Sequence, residues 1–243
     1  MNQVIDAIFL DVGNTMRVVI KDQELTEQAR KGLMTVLQTE KSEADFFEGL
    51  ESRWQVYRKQ AKELLVEASE KELWTKWLLP DYPTDRIAPL SGKLTRLWRD
   101  RSGRRIPRPG VKDTLQELHR RGYKLGVIAN TITENEIPDW IESDGLTNYF
   151  QEVILSSKVG IRKPNPEIFW EAARRVGVTP SKCAYVGDNP VYDVSGSRQA
   201  GFGLTVLIME SGSQPPDAPT NEHKPDYVIQ EMMELLDIFP SRG

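Results

Sequence analysis

The chain of 243 residues has little of what several protein classes require. It contains one cysteine, Cys183, and two histidines, so an internal disulfide is excluded and no histidine-based metal site or catalytic triad is indicated. No apolar run approaches the ~18 residues of a membrane-spanning helix. The formal net charge is −4, which provides no overall attraction to nucleic acid or to an anionic membrane.

The beginning of the sequence lacks a basic segment followed by an apolar stretch, so we expect no secretory signal. A single thiol is typical of a reducing compartment. The sequence therefore predicts a cytoplasmic protein, whose oligomeric state it leaves open.

Apolar segments and helical segments alternate over most of the chain. Residues 4–10 (VIDAIFL) form a short apolar strand of the kind that lies inside a parallel sheet. Helical stretches separate the later apolar segments, and this alternation is typical of right-handed βαβ units. The sequence therefore predicts an α/β fold with a Rossmann-like, doubly wound parallel sheet. The further predicted strands are 123–129, 152–155, 183–186, 204–208 and 227–229, and the predicted helices among them are 113–121, 134–143, 166–176, 193–200 and 230–239.

Residues 24–101 have a different character, because helix formers and long charged side chains dominate them. Their apolar residues recur at helical spacing. We interpret this part as an α-helical cap domain, residues 17–105, inserted into a core formed by residues 1–16 and 106–243. Residues 211–225 are predicted to form a polar loop.

Polar side chains follow three of the predicted strands. Asp11, Asn130 and Asp188 each come directly after an apolar segment, and Lys163 lies in the loop that opens a helix. Ligands bind beyond the carboxyl ends of strands in open parallel sheets, so we expect these four side chains to converge. Two carboxylates, an amide and an ammonium suit a divalent cation together with a phosphate.

Four stretches carry a specific resemblance: IFLDVGNT, YKLGVIANT, VGIRKPNPEIF and YVGDNPVYDVSGSRQAG. In order and spacing they resemble the four motifs of the haloacid dehalogenase-like hydrolase superfamily, in its form with a helical cap. The resemblance implies a Mg²⁺-dependent phosphohydrolase that acts on a small phosphorylated metabolite through an aspartyl-phosphate. The net charge and the lack of a membrane-length apolar run indicate that neither a nucleic acid nor a membrane is the partner.

The resemblance also implies a role for individual residues. Asp11 corresponds to the nucleophile, and Lys163 to the lysine that holds the nucleophile and the phosphoryl group together. The implied ligands of Mg²⁺ are Asp11, Asp188 and the backbone carbonyl of Gly13. Asp193 and Asn189 are implied to support the metal ligands without binding the ion directly. Asn130, Thr131 and Lys163 are implied to bind the phosphate.

Two positions depart from the family pattern. Where the phosphatases have a second aspartate that protonates the leaving group and then activates water, this chain has Gly13. Where the second motif has Ser or Thr before Asn130, this chain has Ala129, and Thr131 or backbone N–H groups are the candidates to compensate. Loss of a general acid costs typically ~10²–10⁴ in rate. The nucleophile, the lysine and the metal ligands remain, so the departures weaken the expected enzyme without excluding it.

Three functions therefore remain open. The first is the phosphohydrolase, and the second is a catalytically impaired relative that binds phosphate without turning it over. The third is different chemistry on the same core: a phosphonate hydrolase, with Lys59 or Lys62 forming a Schiff base, or a dehalogenase. The acidic stretch GDNPVYD argues against a dehalogenase, because those relatives need no metal.

The segment 93–108 (KLTRLWRDRSGRRIPR) contains seven basic residues and one acidic residue. It is too short and too isolated to indicate nucleic-acid binding. We expect a solvated helix face followed by the return to the core, with a share of the charges facing the crevice and attracting an anionic substrate.

Overall fold

Strands and helices alternate along residues 4–210 and 224–241, which are the residues that the computed structural model describes. Most of the loop predicted at 211–225 lies outside them. The strands are β1 Ala7–Leu10, β2 Arg17–Ile20, β3 Arg104–Pro107, β4 Lys124–Ala129, β5 Phe150–Leu155, β6 Cys183–Gly187, β7 Leu204–Ile208 and β8 Tyr227–Ile229. The α-helices are α1 Gln23–Leu37, α2 Glu43–Leu64, α3 Glu70–Glu72, α4 Thr84–Ile87, α5 Ser91–Asp100, α6 Val111–Arg120, α7 Glu136–Ser143, α8 Ser156–Val159, α9 Pro166–Val176, α10 Gly196–Gln199 and α11 Leu235–Ile238.

Six strands form one parallel sheet in the order β5-β4-β1-β6-β7-β8. The chain builds outward from β1 in both directions, so the strand order reverses beside β1. In register, Leu10 lies beside Val127 of β4 and Val186 of β6. A reversal of this kind opens a crevice at the carboxyl ends of the strands, where such sheets bind ligands.

Apolar side chains cover both faces of the sheet, because successive residues of a strand point to opposite sides. Ile8 and Leu10 pack in a cluster with residues of α6, α7 and α11, whereas Ala7 and Phe9 pack with residues of α9. The predicted doubly wound α/β architecture is confirmed.

The helices α1, α2, α4 and α5 and a π-helical segment, Leu73–Leu78, pack around a second apolar cluster that includes Leu33, Trp74 and Trp98. The chain leaves the sheet region through β2 and returns through β3, and these two strands pair antiparallel. The sequence pattern did not indicate this ribbon. Since β3 spans residues 104–107, the predicted division at 105 and 106 falls inside a strand, and the division into core and cap stays a prediction.

Several helix boundaries differ from the expected ones. The helix expected from residue 134 begins at Glu136. Of the helix expected at 193–200, only Gly196–Gln199 is α-helical, and a π-helical turn, Pro190–Ser195, comes directly before it. The terminal helix is reduced to a 3-10 turn, Met232–Glu234, followed by α11. The predicted start of α9 is confirmed, because Asn165 Oδ1 accepts a hydrogen bond from the N–H of Glu167 at 3.0 Å. In the described part of the chain, no helix has both the length and the apolar composition that crossing a membrane requires.

A buried ion pair between Glu67 and Arg162 joins the helices α1 to α5 to the parallel-sheet region. Glu67 follows α2, and its carboxylate lies 2.9 Å from Nη1 of Arg162. Tyr57 donates to the same carboxylate, and Ser156 Oγ lies 3.1 Å from it. Burial raises the pKa of Glu67, and the charge of Arg162 opposes that rise. The N–H of Glu67 also donates to the Gly160 carbonyl at 3.1 Å.

We expect Glu67→Ala to destabilise the protein by about 3–5 kcal/mol, since it leaves the charge of Arg162 buried without its partner. Glu63→Ala is the matched control, because Glu63 lies exposed on α2 and is 3.9 Å from Lys59; its effect should stay within about 0.5 kcal/mol. Urea unfolding of both variants measures the difference. Equal effects of the two substitutions would contradict this account of how the inserted helices are held.

Candidate active site

The three polar residues predicted to follow strands lie side by side at the carboxyl edge of the sheet. Asp11, Asn130 and Asp188 follow β1, β4 and β6, which are neighbouring strands. The N–H of Asp11 continues the ladder by donating to the Val186 carbonyl at 2.9 Å. The parallel sheet therefore brings residues 11, 130 and 188 to one place because their strands pair.

Lys163 is the centre of this group, and its side chain is only 2% exposed. Its Nζ lies 2.7 Å from Asp11 Oδ1, 2.7 Å from Asp193 Oδ1 and 2.7 Å from the hydroxyl of Tyr185. Burial alone would lower the pKa of Lys163, but the carboxylates of Asp11 and Asp193 raise it above its ordinary value. The ammonium thus stays charged, with hydrogen bonds to Asp11 and Tyr185 and an ion pair with Asp193.

Three carboxylates surround this one ammonium. Oxygens of Asp11, Asp188 and Asp193 all lie within 4.8 Å of one another. Burial raises the pKa of Asp11 to about 7; Lys163 opposes the rise, while Asp193 and Asp188 add to it. Burial also raises the pKa of Asp188, again with a contribution from Asp193. Negative charge is therefore in excess, and the donors are the hard oxygens that a divalent cation prefers.

A tight turn holds Asp193 in this cluster. The side-chain oxygen of Asn189 accepts hydrogen bonds from the N–H groups of Val191 and Tyr192. The backbone N–H of Asn189 donates to Asp193 Oδ2 at 3.0 Å. A Cβ at Gly187 would lie 2.3 Å from that same Oδ2. Position 187 therefore has no room for a side chain while Asp193 faces Lys163.

Asn130 and Thr131 make contacts that the sequence did not predict. Asn130 Nδ2 donates to the Lys163 carbonyl at 2.9 Å, and its Oδ1 accepts from the Lys163 N–H at 2.8 Å. The N–H of Thr131 donates to Ser156 Oγ at 2.8 Å, and its Oγ1 accepts from the Thr133 N–H. Asn130 thus fixes the backbone of Lys163. The backbone N–H of Thr131 is engaged, and its hydroxyl donates to none of the residues that the structure describes.

The loop after β1 contacts the carboxylate cluster through Asn14. Asn14 has a left-handed backbone with φ 52°, and its Nδ2 donates to Asp188 Oδ2 at 3.2 Å. Arg108 is buried and donates to the carbonyls of Thr15 and Asn14. A Cβ at Gly13 would meet only Asp11 Oδ2, at 4.0 Å. The space in front of that oxygen is therefore open on the side where the family carries its second aspartate.

Three residues of the site were missed by the sequence analysis: Tyr185, Asn14 and Arg108. Tyr185 stands in an apolar strand and looks like an ordinary core residue, yet its hydroxyl accepts from Lys163 and donates to the Ile128 carbonyl at 2.7 Å. Burial raises its pKa well above the ordinary value, so the phenol stays protonated. Only the alternation of side chains in β6 could have indicated that Tyr185 reaches a different face from Ala184 and Val186.

We expect Tyr185→Phe to cost about 1–3 kcal/mol of stability, because it removes an acceptor from a buried ammonium and a donor from a buried carbonyl. Tyr192→Phe is the matched control, since the hydroxyl of Tyr192 has no hydrogen bond within the described residues, and it should change stability by less than about 0.5 kcal/mol. Denaturant unfolding of both variants checks this, and an unaffected Tyr185→Phe would show that Lys163 does not depend on the phenol.

Sequence comparisons match a little over half of this chain to curated phosphatases. Glyceraldehyde 3-phosphate phosphatase of Methanopyrus kandleri is 38% identical over 132 residues, which are 54% of this chain and 56% of the relative. Phosphoserine phosphatase of Thermus thermophilus is 35% identical over 137 residues, 56% of this chain and 53% of the relative. The matches thus span about half the length of these curated relatives.

Structural comparison extends over nearly the whole chain. A 2-haloacid dehalogenase from Pseudomonas syringae superposes with a TM-score of 0.66 at 23% identity, covering 97% of this chain and 98% of its own. A phosphatase from Thermococcus onnurineus gives a TM-score of 0.61 at 23% identity, over 98% and 99% of the two chains. At these identities the likeness establishes the fold alone. The family model of the haloacid dehalogenase-like hydrolases matches residues 5–201, and the chain therefore belongs to that family.

Proposed function

We propose that this chain is a Mg²⁺-dependent phosphohydrolase that acts on a small phosphorylated metabolite through an aspartyl-phosphate on Asp11. The observation that carries the proposal is the contact of Lys163 with Asp11 at 2.7 Å, inside a cluster of three carboxylates at the carboxyl edge of the sheet. A nucleophilic carboxylate, a cation for the phosphoryl oxygens and a set of metal ligands are what phosphoryl transfer to an aspartate requires.

The residues present fit Mg²⁺. Three carboxylates face a single ammonium, which leaves excess negative charge that a divalent cation offsets. Asp11, Asp188 and the Gly13 carbonyl would hold the ion, with Asp193 and Asn189 supporting them from outside. When bound, Mg²⁺ neutralises charge on the phosphoryl group and orients it.

The two oxygens of Asp11 have different surroundings. Lys163 holds Oδ1, while Oδ2 faces the space beside Gly13. In the proposed reaction Oδ2 attacks phosphorus, the bond from phosphorus to the leaving-group oxygen breaks, and that oxygen departs with the electron pair. Water then cleaves the acyl phosphate, which releases inorganic phosphate and restores the Asp11 carboxylate. Gly13 donates no proton to the departing oxygen, so a leaving group that needs none is favoured.

The named relatives support a small phosphorylated substrate. One is a glyceraldehyde 3-phosphate phosphatase and another a phosphoserine phosphatase. A cytoplasmic location, where such metabolites occur, fits this proposal and the single thiol.

A second candidate function is phosphate binding without turnover. It is favoured by the glycine at position 13 and by the contacts of Asn130, whose amide oxygen and nitrogen both bond to the backbone of Lys163 instead of facing outward together. A phosphonate hydrolase is less well supported, because Lys59 and Lys62 are exposed on α2 and neither lines the cavity beside Asn130.

The proposal is tested with acetyl phosphate, whose leaving group needs no proton. We expect hydrolysis in the presence of Mg²⁺, loss of activity with EDTA, and a fall of at least roughly 10³ in kcat for Asp11→Asn, since the nucleophile is removed. Asp6→Asn, at the opposite end of β1, is the control and should retain activity. An inactive parent with intact fold would favour the binding function, and an active Asp11→Asn variant would exclude the aspartyl-phosphate.

Gly13→Asp should raise the rate of hydrolysis of ethyl phosphate by roughly 10²–10⁴, because it supplies the missing general acid. The position accepts a side chain, since an added Cβ would approach nothing closer than 4.0 Å. Gly13→Asn has nearly the same shape but no acidic proton, so it should bring no such gain. If both variants change the ratio of ethyl phosphate to acetyl phosphate turnover equally, proton donation at position 13 is not the missing element.

A further inference from the structure

A cavity of about 410 Å³ opens beside the predicted phosphate-binding residues Asn130 and Thr131. Its volume lies within the range of about 300–1,000 Å³ that is usual for small-molecule sites. Asn130 forms part of its wall and is bonded on its other side to the backbone of Lys163. The cavity therefore adjoins the charged cluster through Asn130, which lines the cavity and bonds to Lys163.

Five arginines line this cavity, and they are its dominant chemical feature: Arg58, Arg99, Arg101, Arg105 and Arg162. Two glutamates, Glu51 and Glu67, are the acidic residues of the lining, so its formal charge is +3. In a chain whose net charge is −4, this concentration of positive charge is local and opposite in sign to the rest of the molecule.

Ion pairs account for three of these arginines. Arg101 lies 3.0 Å from Glu51, Arg162 pairs with Glu67, and Arg99 pairs with Glu136. Among the described residues, Arg58 and Arg105 are in no ion pair. Arg58 is exposed on α2, while Arg105 is half-buried in β3 and donates to the Arg99 carbonyl at 3.0 Å.

Arg105 is partly desolvated and lies close to a second arginine, Arg99. Burial lowers the pKa of Arg105 to about 10, and the nearby charge of Arg99 lowers it further, while Glu136 and Asp100 oppose that effect. The other lining residues are mixed: Trp54, Tyr57, Trp98 and Ile132 are aromatic or apolar, and Glu51, Glu67, Ser102, Asn130 and Thr131 are polar or acidic. A planar guanidinium on such a wall is well suited to a carboxylate or a phosphate.

We propose that this arginine-lined cavity binds a second anionic group of the substrate, so that the chain acts on phosphomonoesters that carry a carboxylate or another phosphate at the end remote from the reacting phosphoryl group. Arg58 and Arg105 are the residues that select this group. The inference rests on the proposed function, because it assumes that the reacting phosphoryl group lies at Asp11 and Lys163.

Three probes with the same three-carbon chain test this selection: 3-hydroxypropyl phosphate, 3-(phosphonooxy)propanoate and propane-1,3-diyl bisphosphate. Their remote ends are neutral, a carboxylate and a phosphate. Dissociation constants are measured by calorimetry with the full chain in Mg²⁺. We expect one or both charged probes to bind roughly ten- to hundredfold more tightly than the neutral one, and the tighter of the two identifies the anion.

Arg105→Gln and Arg58→Gln should each remove most of that difference in affinity. Their controls are Arg104→Gln, which lies next in β3 but pairs with Asp22 at 2.7 Å, and Lys59→Gln on α2, which lies outside the cavity lining. Both controls remove one positive charge and should keep the difference. Arg58 is exposed, so its variant stays interpretable if Arg105→Gln fails to fold.

Equal affinities for the three probes in the parent chain would overturn the inference, and so would control variants that reduce the difference as much as Arg58→Gln. These binding measurements need no turnover. Absence of acetyl phosphate hydrolysis together with arginine-dependent preference for charged probes would overturn the proposed function and leave the anion site standing.

Discussion

The buried ammonium of Lys163 is the contact on which the whole site depends. An isolated charge in a protein interior costs several kcal/mol or more unless it is paired and hydrogen-bonded. Here Asp11, Asp193 and Tyr185 each lie 2.7 Å from Nζ. The contact of Lys163 with Asp11 Oδ1 fixes the orientation of the carboxylate and therefore the direction of Oδ2. Asn130 separately fixes the backbone of Lys163 by bonding to both its N–H and its carbonyl. A displacement of Lys163 would therefore break its contacts with Asp11, Asp193 and Tyr185 together.

The sheet brings these groups together over long distances in the sequence. Residues 11, 130 and 188 follow adjacent parallel strands, so the pairing of β4, β1 and β6 is sufficient to align them. Lys163 and Asp193 lie in connections between strands, and local turns set the orientation of their side chains. The tight approach of Gly187 to Asp193 and the bonds of Asn189 within its own turn are local features of this kind. Strand order thus sets the location of the site, and turn chemistry sets its geometry.

This distinction explains what could be predicted from the sequence. Apolar segments that end at Asp11 and Asp188 predicted both the parallel sheet and the meeting of those residues, because the carboxyl ends of strands share one edge. Tyr185 escaped prediction because its environment depends on which face of β6 it occupies. The ribbon of β2 and β3 escaped because RVVI and RRIP are short and flanked by charges. The expectation that some charges of segment 93–108 face the crevice stays a prediction. Arg99, Arg101 and Arg105 line the cavity beside Asn130, and helical spacing could not say which residues would do so.

The proposed anion site and the glycine at position 13 affect different steps. A contact with a remote carboxylate or phosphate is made equally in the ground state and the transition state, so it lowers KM and leaves kcat unchanged unless it also orients the phosphoryl group. A general acid acts only as the bond to the leaving group breaks, and its loss lowers kcat. Arginines in the cavity therefore cannot replace the missing aspartate. They can restrict the chain to substrates that stay bound long enough for a slow chemical step. The proposed anion site and the glycine at position 13 together favour high selectivity with a low turnover number.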